Sequence, residues 1–265
     1  MHGRDLPWRR TTDPYLILVS EIMLQQTQVP RVAGRYELFA RLFPDIRALA
    51  GAPVAEVLRA WQGLGYNRRA LNLHRSASLI IAEHGGRIPG TFSDLRGLPG
   101  VGSATAGAIC AFAFGVPVPF VETNIRSAYI HHFFQESLRV SDGDLLPLVE
   151  ATLDCENPRE WYFALMDYGS WLKKICANPS RKSRHETRQS TFAGSHRQLR
   201  AQILRAFLTH APELSPEVAT GTPGLDALAV GALMSAWDQE EVVATLDELT
   251  REGFLRRSGG LHSLA

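Results

Sequence analysis

The chain has few cysteines, no long apolar run and almost no net charge, and each shortage excludes a class of protein. Cys110, Cys155 and Cys176 are widely spaced and form no paired-ligand pattern, so we expect reduced structural thiols rather than a disulfide framework. No apolar stretch approaches the roughly 20 residues that cross a bilayer, and the first residues lack the apolar core of a secretory signal, which predicts a cytoplasmic protein. Because the net charge is only +1, any affinity for a polyanion must come from uneven placement of charge.

Alternating strand patterns are also nearly absent, whereas apolar residues recur at helical spacing along most of the chain. The first such pattern has Asp13 as a candidate N-cap and Pro14 at the first helical position. Gly- and Pro-rich breaks separate the patterns that follow. The sequence therefore predicts an all-α body of roughly 180 residues. Its predicted helices cover about 13–29, 31–43, 53–61, 67–84, 91–96, 103–114, 123–134, 143–153 and 158–175.

Residues 195–265 predict a small winged-helix-like domain. A short hairpin around Ser258-Gly259-Gly260 follows three helical patterns. The last helix begins with Asp238 and Glu241 in a capping-box arrangement, and its acidic residues are joined by no base before Arg251. Because phosphate groups would repel such a helix, we expect it to serve packing or protein contact. The three patterns lie near 196–208, 224–236 and 239–252.

The segment "LRGLPGVGSATAGAICAFAF" (95–114) places two glycines where the chain must turn tightly before a helix. Exposed amides at a helix N-terminus form an anion site that suits a phosphate group. Small residues in the helix that follows allow another helix to approach closely. Taken alone, such a short glycine pattern is more often an ordinary connection between two helices.

The surrounding motifs change that interpretation. In chain order they are "LPWRR", "SEIMLQQTQV", "WQGLGYNRRALNLH", "GGRIP", "LPGVGSATAGAI", "NIR" and "MDYGS". In order and approximate spacing they resemble the helix-hairpin-helix DNA glycosylase superfamily that includes endonuclease III, and more particularly the MutY adenine glycosylases, over about residues 6–176.

The resemblance implies an all-α helix-hairpin-helix glycosylase fold with two helical subdomains. The glycosylase domain is expected at 1–190, with a six-helix barrel at about 14–118 and a second lobe at about 119–190, ahead of the domain at 195–265. A monomer acting on double-stranded DNA that contains a mispair or lesion is the expected unit.

The resemblance assigns catalytic roles to Glu21, Glu122 and Asn124. Glu21 lies within a mostly apolar helical pattern, where a carboxyl group has a raised pKa, a partner or a functional use. The matching glutamate in the family protonates the departing adenine. Glu122 falls where the superfamily has an aspartate that stabilises the oxocarbenium-like sugar, on an arm one methylene longer. From the residues alone, Glu122 is equally an acid at a helix start.

Further residues are implied in binding DNA. Gln26 and Tyr66 match the residues that fill and wedge the base stack when a base is flipped out. Ala104 stands where bifunctional relatives have the lysine that forms a Schiff base, so a monofunctional enzyme is expected, and Ala104 and Arg126 are predicted to line the substrate pocket. The other predicted DNA contacts are Gln25, Thr27, Arg68, Leu98, Gly100, Val101, Gly102, Ser103, Lys182 and Arg184.

Two features depart from the MutY pattern. MutY relatives commonly hold a four-iron cluster through four cysteines, but counting from Cys176 places Ser183, Glu186 and Phe192 at the other positions. No iron–sulfur cluster, metal or other cofactor is therefore expected. The basic segment that replaces the cluster loop is expected to keep its phosphate contacts. Residues 195–265 are also too short and too helical for the Nudix-like domain with which MutY proteins examine 8-oxoguanine.

Three functions stay open. Removal of adenine opposite 8-oxoguanine or guanine in base excision repair is the leading one. A mismatch-specific thymine or uracil glycosylase would use the same Glu122. A non-catalytic DNA-lesion-binding protein is favoured by Glu122 and Ala104, whereas the joint presence of the other site residues argues against it.

Overall fold

Helices dominate the computed structural model, which describes residues 3–137, 139–185, 191–210 and 224–265. Short 3-10 helices at Pro7–Arg9 and Pro179–Lys182 flank the helices of the main body. Within the described ranges, no helix is both long enough and apolar enough to cross a membrane. The main-body helices are α1 (Pro14–Leu24), α2 (Val29–Leu42), α3 (Ile46–Gly51), α4 (Val54–Trp61), α5 (Arg68–His84), α6 (Phe92–Gly97), α7 (Ser103–Phe114), α8 (Thr123–Phe133), α9 (Asp142–Thr152) and α10 (Pro158–Ile175).

Most predicted helices are present within a few residues of their expected bounds, with two differences. The pattern at 13–29 is too long, since α1 ends at Leu24 and Gln26 has a left-handed backbone (φ +53°) that cannot continue a helix. Helix α3, which has only six residues, is absent from the predicted set. Its N-cap, Asp45, does carry a local signal, accepting hydrogen bonds from the amides of Arg47 and Ala48.

Helices α1 to α7 surround one core, in which Phe39 and Trp61 are fully buried. Helices α8 to α10 form a second group, and the contact between α8 and α10 is the most extensive between any two described helices. Gly169 of α10 makes that contact possible, because a Cβ there would lie 2.0 Å from the backbone oxygen of Asn124 in α8. The two backbones therefore touch at the start of α8.

The C-terminal elements follow the order of a winged helix. Antiparallel strands are joined at Gly259 and Gly260, whose positive φ angles of +56° and +85° suit a tight hairpin turn. Asp238 caps its helix through the amides of Glu240 and Glu241. The full capping box predicted there is found instead at Ser141 and Asp144 of α9. The elements are α11 (His196–His210), α12 (Ala227–Leu233), α13 (Gln239–Arg251), β1 (Leu255–Ser258) and β2 (Leu261–Leu264).

Acids near the end of α13 bind arginines of the same chain. Arg200 of α11 contacts Glu248 at 2.9 Å and Glu252 at 2.7 Å. Glu252 also pairs with Arg68 at the start of α5, and its backbone oxygen accepts a hydrogen bond from Arg75. Although burial opposes it, hydrogen bonds from Arg200 and Arg68 lower the pKa of Glu252. Packing within the chain thus accounts for Glu248 and Glu252, and the C-terminal module lies against α5.

Replacing Gly169 with alanine tests the contact between α8 and α10. The added Cβ would force the helices apart, and we expect a loss of about 1–3 kcal/mol in the free energy of unfolding, measured in urea. Gly34→Ala in α2 is the matched control, since a Cβ there meets no atom within 4 Å. The control should be neutral or stabilising by up to about 1 kcal/mol. Equal stabilities of the two variants would contradict the close contact.

Candidate active site

Glu21 lies on α1 with fully buried neighbours such as Leu18 and Ile22. The residue keeps some accessible surface, although protein atoms surround its carboxyl group. Burial, reinforced by the negative charge of Glu122, raises the pKa of Glu21 from 4.5 to about 8, while Arg9 acts in the opposite direction. No hydrogen bond from another described residue offsets the burial. Glu21 is therefore protonated near neutral pH.

Arg9 reaches the site from the 3-10 helix that precedes α1. Its guanidinium donates to both carboxylate oxygens of Asp167 in α10, at 2.8 and 2.9 Å, and lies 4.3 Å from the ring centre of Phe163. Arg4 binds the same carboxylate. Burial alone would raise the pKa of Asp167, but these hydrogen bonds hold it below its ordinary value. Because the carboxylate of Asp167 neutralises Arg9, the charge of Arg9 offsets only part of the rise in the pKa of Glu21.

Glu122 is the N-cap of α8 as well as a member of the site. Its Oε1 accepts hydrogen bonds from the amides of Asn124 (2.7 Å) and Ile125 (2.8 Å), and its Oε2 accepts one from the side-chain amide of Asn124 (3.2 Å). Burial raises the pKa of Glu122, whereas the two backbone hydrogen bonds and the charge of Lys173 limit the rise. The carboxylate that is predicted to stabilise the sugar is therefore also the N-cap of α8.

The two carboxyl groups have opposite surroundings. Glu122 receives three hydrogen bonds and faces a helix N-terminus, both of which favour its ionised form. Glu21 has burial and a neighbouring negative charge, both of which favour its neutral form. The hydrogen bonds therefore favour a negative charge on Glu122 more than on Glu21. The site thus contains two buried carboxyl groups that influence each other electrostatically, and of the two only Glu122 receives hydrogen bonds from described residues that stabilise a negative charge.

Two exposed side chains stand on backbone that is unusual for their residue type. Gln26 (φ +53°) and Tyr66 (φ +49°) are the only described non-glycine residues with positive φ. Left-handed backbone is costly for such residues and is found where the surroundings enforce it, often at functional sites. Both are the residues predicted to enter the base stack.

Buried Arg69 holds both of these loops. Its guanidinium donates to the backbone oxygens of Met23 (2.8 Å) and Gln25 (2.6 Å) on one side and of Gly65 (3.0 Å) on the other. It also donates to Thr27 Oγ1, at 2.9 Å. Burial lowers the pKa of Arg69 to about 10, so it remains charged at neutral pH. The sequence alone does not show that Arg69 is buried, because a run of basic residues gives no sign of which member faces the core.

The glycine turn before α7 is tied to the same region. Gln25 Nε2 donates to the backbone oxygen of Gly100 and to Thr105 Oγ1, both at 3.0 Å. Gln25, a predicted DNA contact, therefore forms hydrogen bonds within the protein. Gly100 has φ +78° and lies against Asn72. Leu98 and Val101 are buried anchors, whereas Gly102 and Ser103 are exposed at the N-terminus of α7. The turn therefore presents free amides beside the Gln26 loop.

Several other predicted site residues form contacts with other residues of the same chain. Arg126 donates to both oxygens of Asp142 at 2.8 Å and so joins α8 to α9, and its role in a substrate pocket stays a prediction. The side chain of Lys182 donates to the backbone oxygen of Gln135. The side chain of Arg68 pairs with the carboxylate of Glu252. Arg184 is exposed, and Ala104 is half-buried in the first turn of α7.

Lys173 was not predicted as a site residue, because it stands at the start of the basic segment between residues 173 and 205. It lies near the end of α10, half-buried, and its Nζ donates to Asn124 Oδ1 at 2.9 Å. A signal was present: Gly169 and Lys173 are four residues apart, so they share one helix face.

The residues present do not fit an iron–sulfur cluster. Cys176 contacts the oxygen of Leu172, Cys110 is buried within α7, and Cys155 is exposed on another surface segment. Glu186, one of the four counted positions, lies outside the described residues. In the part of the chain that the structure describes, no three His, Cys, Asp or Glu side chains are grouped to hold a metal. One thiol cannot supply the thiolates that a cluster needs.

Fold and site together define a helix-hairpin-helix protein with a paired-carboxyl centre. Residues 19–140 match the model of the HhH-GPD superfamily, described as base excision DNA repair proteins. The chain is similar to this superfamily over that segment, which contains Glu21, Glu122 and Asn124.

Relatives with assigned names agree with the family. The chain is 48% identical over 124 residues to an adenine DNA glycosylase of Mycobacterium tuberculosis, covering 46% of this chain and 41% of that protein. It is 33% identical over 173 residues to an adenine DNA glycosylase of Buchnera aphidicola, covering 64% and 48%. The chain thus spans about half or less of these relatives.

Solved structures share the fold. A thermostable thymine-DNA glycosylase matches with a TM-score of 0.56 and 28% identity, over 63% of this chain and 78% of that one. A non-covalent endonuclease III–DNA complex matches with a TM-score of 0.53 and 18% identity, over 64% and 86%, which shows likeness of fold alone.

Arg69→Lys tests the buried link between the two loops. A lysine ammonium cannot reproduce a guanidinium fork that bonds oxygens on both sides, so buried acceptors lose their donors. We expect a loss of about 2–4 kcal/mol in the free energy of unfolding, measured in urea. Arg68→Lys, the exposed neighbour paired with Glu252, is the control and should cost less than about 1 kcal/mol. Similar costs for both would contradict the link.

Glu21→Gln should change how stability depends on pH. Between pH 4.5 and about 8 the native state keeps the Glu21 proton that the unfolded chain has lost, so the wild type loses stability as pH rises through this window. The glutamine variant has no such proton. Its advantage in free energy of unfolding should therefore grow from pH 5 to pH 8 and then level off, as measured by urea unfolding. Glu83→Gln, at an exposed position of α5, is the control. An advantage that does not vary with pH would contradict the buried, protonated carboxyl.

Proposed function

We propose that this chain is a monofunctional DNA glycosylase of base excision repair that removes adenine opposite 8-oxoguanine or guanine. The observation that carries the proposal is a pair of buried carboxyl groups with different surroundings: the pKa of Glu21 is raised to about 8, whereas Glu122 receives three hydrogen bonds at a helix N-terminus. We therefore assign the proton to Glu21 and the negative charge to Glu122. Glycosidic bonds are cleaved in many enzymes by such a pair, one carboxyl acting as acid and the other as anion.

The chemistry follows from these two states. Glu21 donates its proton to a ring nitrogen of the purine as the bond between the sugar C1′ and the base nitrogen breaks, so that the base leaves neutral. The positive charge that develops on the sugar is stabilised by the carboxylate of Glu122. Water adds to C1′, and the proton that it releases restores Glu21. The products are the free base and an abasic site.

The exposed loops support access to a base in a duplex. Gln26 and Tyr66 project from backbone that Arg69 holds in place, as expected for side chains that fill the gap left by a flipped base. The free amides of Gly102 and Ser103 suit a phosphate of the same strand. All the groups come from one chain, so one chain on one duplex is proposed as the active unit.

The choice of adenine rests on the relatives named adenine DNA glycosylase, at 48% and 33% identity. A mismatch-specific thymine or uracil glycosylase is the second candidate, favoured by the structural likeness to a thymine-DNA glycosylase. The small side chain of Ala104 is compatible with either base.

A panel of duplexes tests the proposal. Purified protein is incubated with adenine paired to 8-oxoguanine or guanine, and with thymine or uracil paired to guanine, and the DNA is analysed with and without alkali. We expect adenine release, with strand breaks only after alkali. Glu21→Gln and Glu122→Gln should each slow release at least about 100-fold, because each removes a charge or proton that the transition state needs.

Glu122→Asp is the sharper variant. The shorter side chain keeps the charge and withdraws it by about 1 Å, so we expect release about 10- to 100-fold slower than wild type and faster than in Glu122→Gln. Undiminished release by both glutamine variants would overturn the mechanism. Excision of thymine or uracil alone would decide for the second candidate, and duplex binding without any abasic site would decide for a non-catalytic protein.

A further inference from the structure

Lys173 is an unassigned charged group next to the carboxyl pair. Its helix, α10, touches α8 at Gly169, where the two backbones meet at Asn124. One turn later on the same face, the Lys173 side chain reaches the side chain of the same asparagine, with Nζ 2.9 Å from Oδ1. One helix therefore holds Asn124 at both its backbone and its side chain.

The lysine decides which way the Asn124 amide points. An ammonium group only donates, so it selects the amide oxygen of Asn124. The amide nitrogen is then left to donate to Glu122 Oε2, at 3.2 Å. With the amide reversed, two donors would face each other and Oε2 would face an acceptor. The orientation of the amide thus follows from the charge of Lys173.

Through this bond the lysine also acts on the charge of Glu122. The side chains form a chain of three groups: ammonium, amide and carboxylate. Burial lowers the pKa of Lys173, and the charge of Glu122 opposes that fall. In turn, the charge of Lys173 opposes the rise that burial causes in the pKa of Glu122, and the charge of Arg126 from α8 acts in the same direction to a smaller extent. The two ions stabilise one another with one amide between them.

The geometry points to Lys173 as a positioning residue for the proposed glycosylase: acting through Asn124, it orients Glu122 and favours its ionised form. The inference rests on the proposed function for its catalytic consequence, but the link between Lys173 and Glu122 is a property of the free protein. Nζ is bound to an amide oxygen, so the lysine is assigned no part as a nucleophile. The Glu122 carboxylate is the group that faces the reaction.

Three variants separate charge from bulk. Lys173→Met keeps most of the length and removes the charge, whereas Lys173→Arg keeps a cation that can donate to Asn124. Lys174→Met changes the exposed lysine next to it and is the matched control. Urea unfolding of each variant shows whether any loss reflects misfolding.

The first readout needs no substrate. The pKa of the Glu122 carboxyl is measured by carbon NMR on protein labelled at glutamate, with Glu122→Gln used to assign the signal. We expect a higher pKa in Lys173→Met than in wild type, a return towards wild type in Lys173→Arg, and no shift in Lys174→Met. A Glu122 pKa unchanged in Lys173→Met would overturn the inference, whether or not the protein proves to be a glycosylase.

The second readout is single-turnover base release as a function of pH, on the duplex that the wild type cleaves best. Lys173→Met should be about 10- to 100-fold slower at neutral pH, because a hydrogen bond from a charged group is lost. Since Glu122 must be ionised, the acidic limb of its profile should move to higher pH, with DNA affinity within about threefold of wild type. Lys173→Arg should recover most of the rate.

An unaltered rate and profile in Lys173→Met, or an equal loss in Lys174→Met, would overturn the inference. So would a covalent adduct between Lys173 and abasic-site DNA on borohydride reduction, because it would make the lysine a nucleophile. A wild-type protein that releases no base would refute the proposed function instead, and the NMR result would still decide the link.

Discussion

No side chain fits between α8 and α10 at Gly169, because a Cβ there would lie 2.0 Å from the backbone oxygen of Asn124. This close approach determines where the charged groups of α10 lie. Asp167, two residues before Gly169, binds Arg9, and the charge of Arg9 lowers the pKa of Glu21. Lys173, one turn after Gly169, binds Asn124. One helix therefore influences both carboxyl groups in opposite senses. It neutralises Arg9, whose charge would lower the pKa of Glu21, and it supplies Lys173, whose charge limits the rise in the pKa of Glu122.

The loops predicted to meet the base stack depend on a second buried cation. Left-handed backbone at Gln26 and Tyr66 costs free energy that a flexible loop would relieve. Arg69 opposes that relief by bonding the backbone oxygens on both sides. The two side chains are thus held in position before any DNA arrives, which reduces the ordering cost of binding. The C-terminal module adds a constraint of its own, through Glu252 on Arg68 at the start of α5.

Much of this arrangement was predictable, and the remainder was hidden for physical reasons. Long amphipathic helices and caps such as Asp13 follow from periodicity and side-chain chemistry, and both are observed. The family motifs led to Glu21 and Glu122 before any geometry was known. A single sequence does not show which cations are buried, so Arg69 and Lys173 were indistinguishable from surface bases. Both acquire their roles from helices that are distant in sequence, and such tertiary contacts leave no local pattern.

The longer arm of Glu122 has a consistent place in this geometry. A helix N-cap is usually a short side chain, because its oxygen must turn back to the first free amides. Glu122 still meets that requirement with Oε1, which accepts from Asn124 and Ile125. An additional methylene gives the other oxygen more freedom to move, and freedom of a catalytic charge lowers its effect on a transition state. The amide of Asn124 binds that oxygen, and Lys173 fixes the amide. The extra bond from α10 therefore restrains the carboxylate where its own length would loosen it.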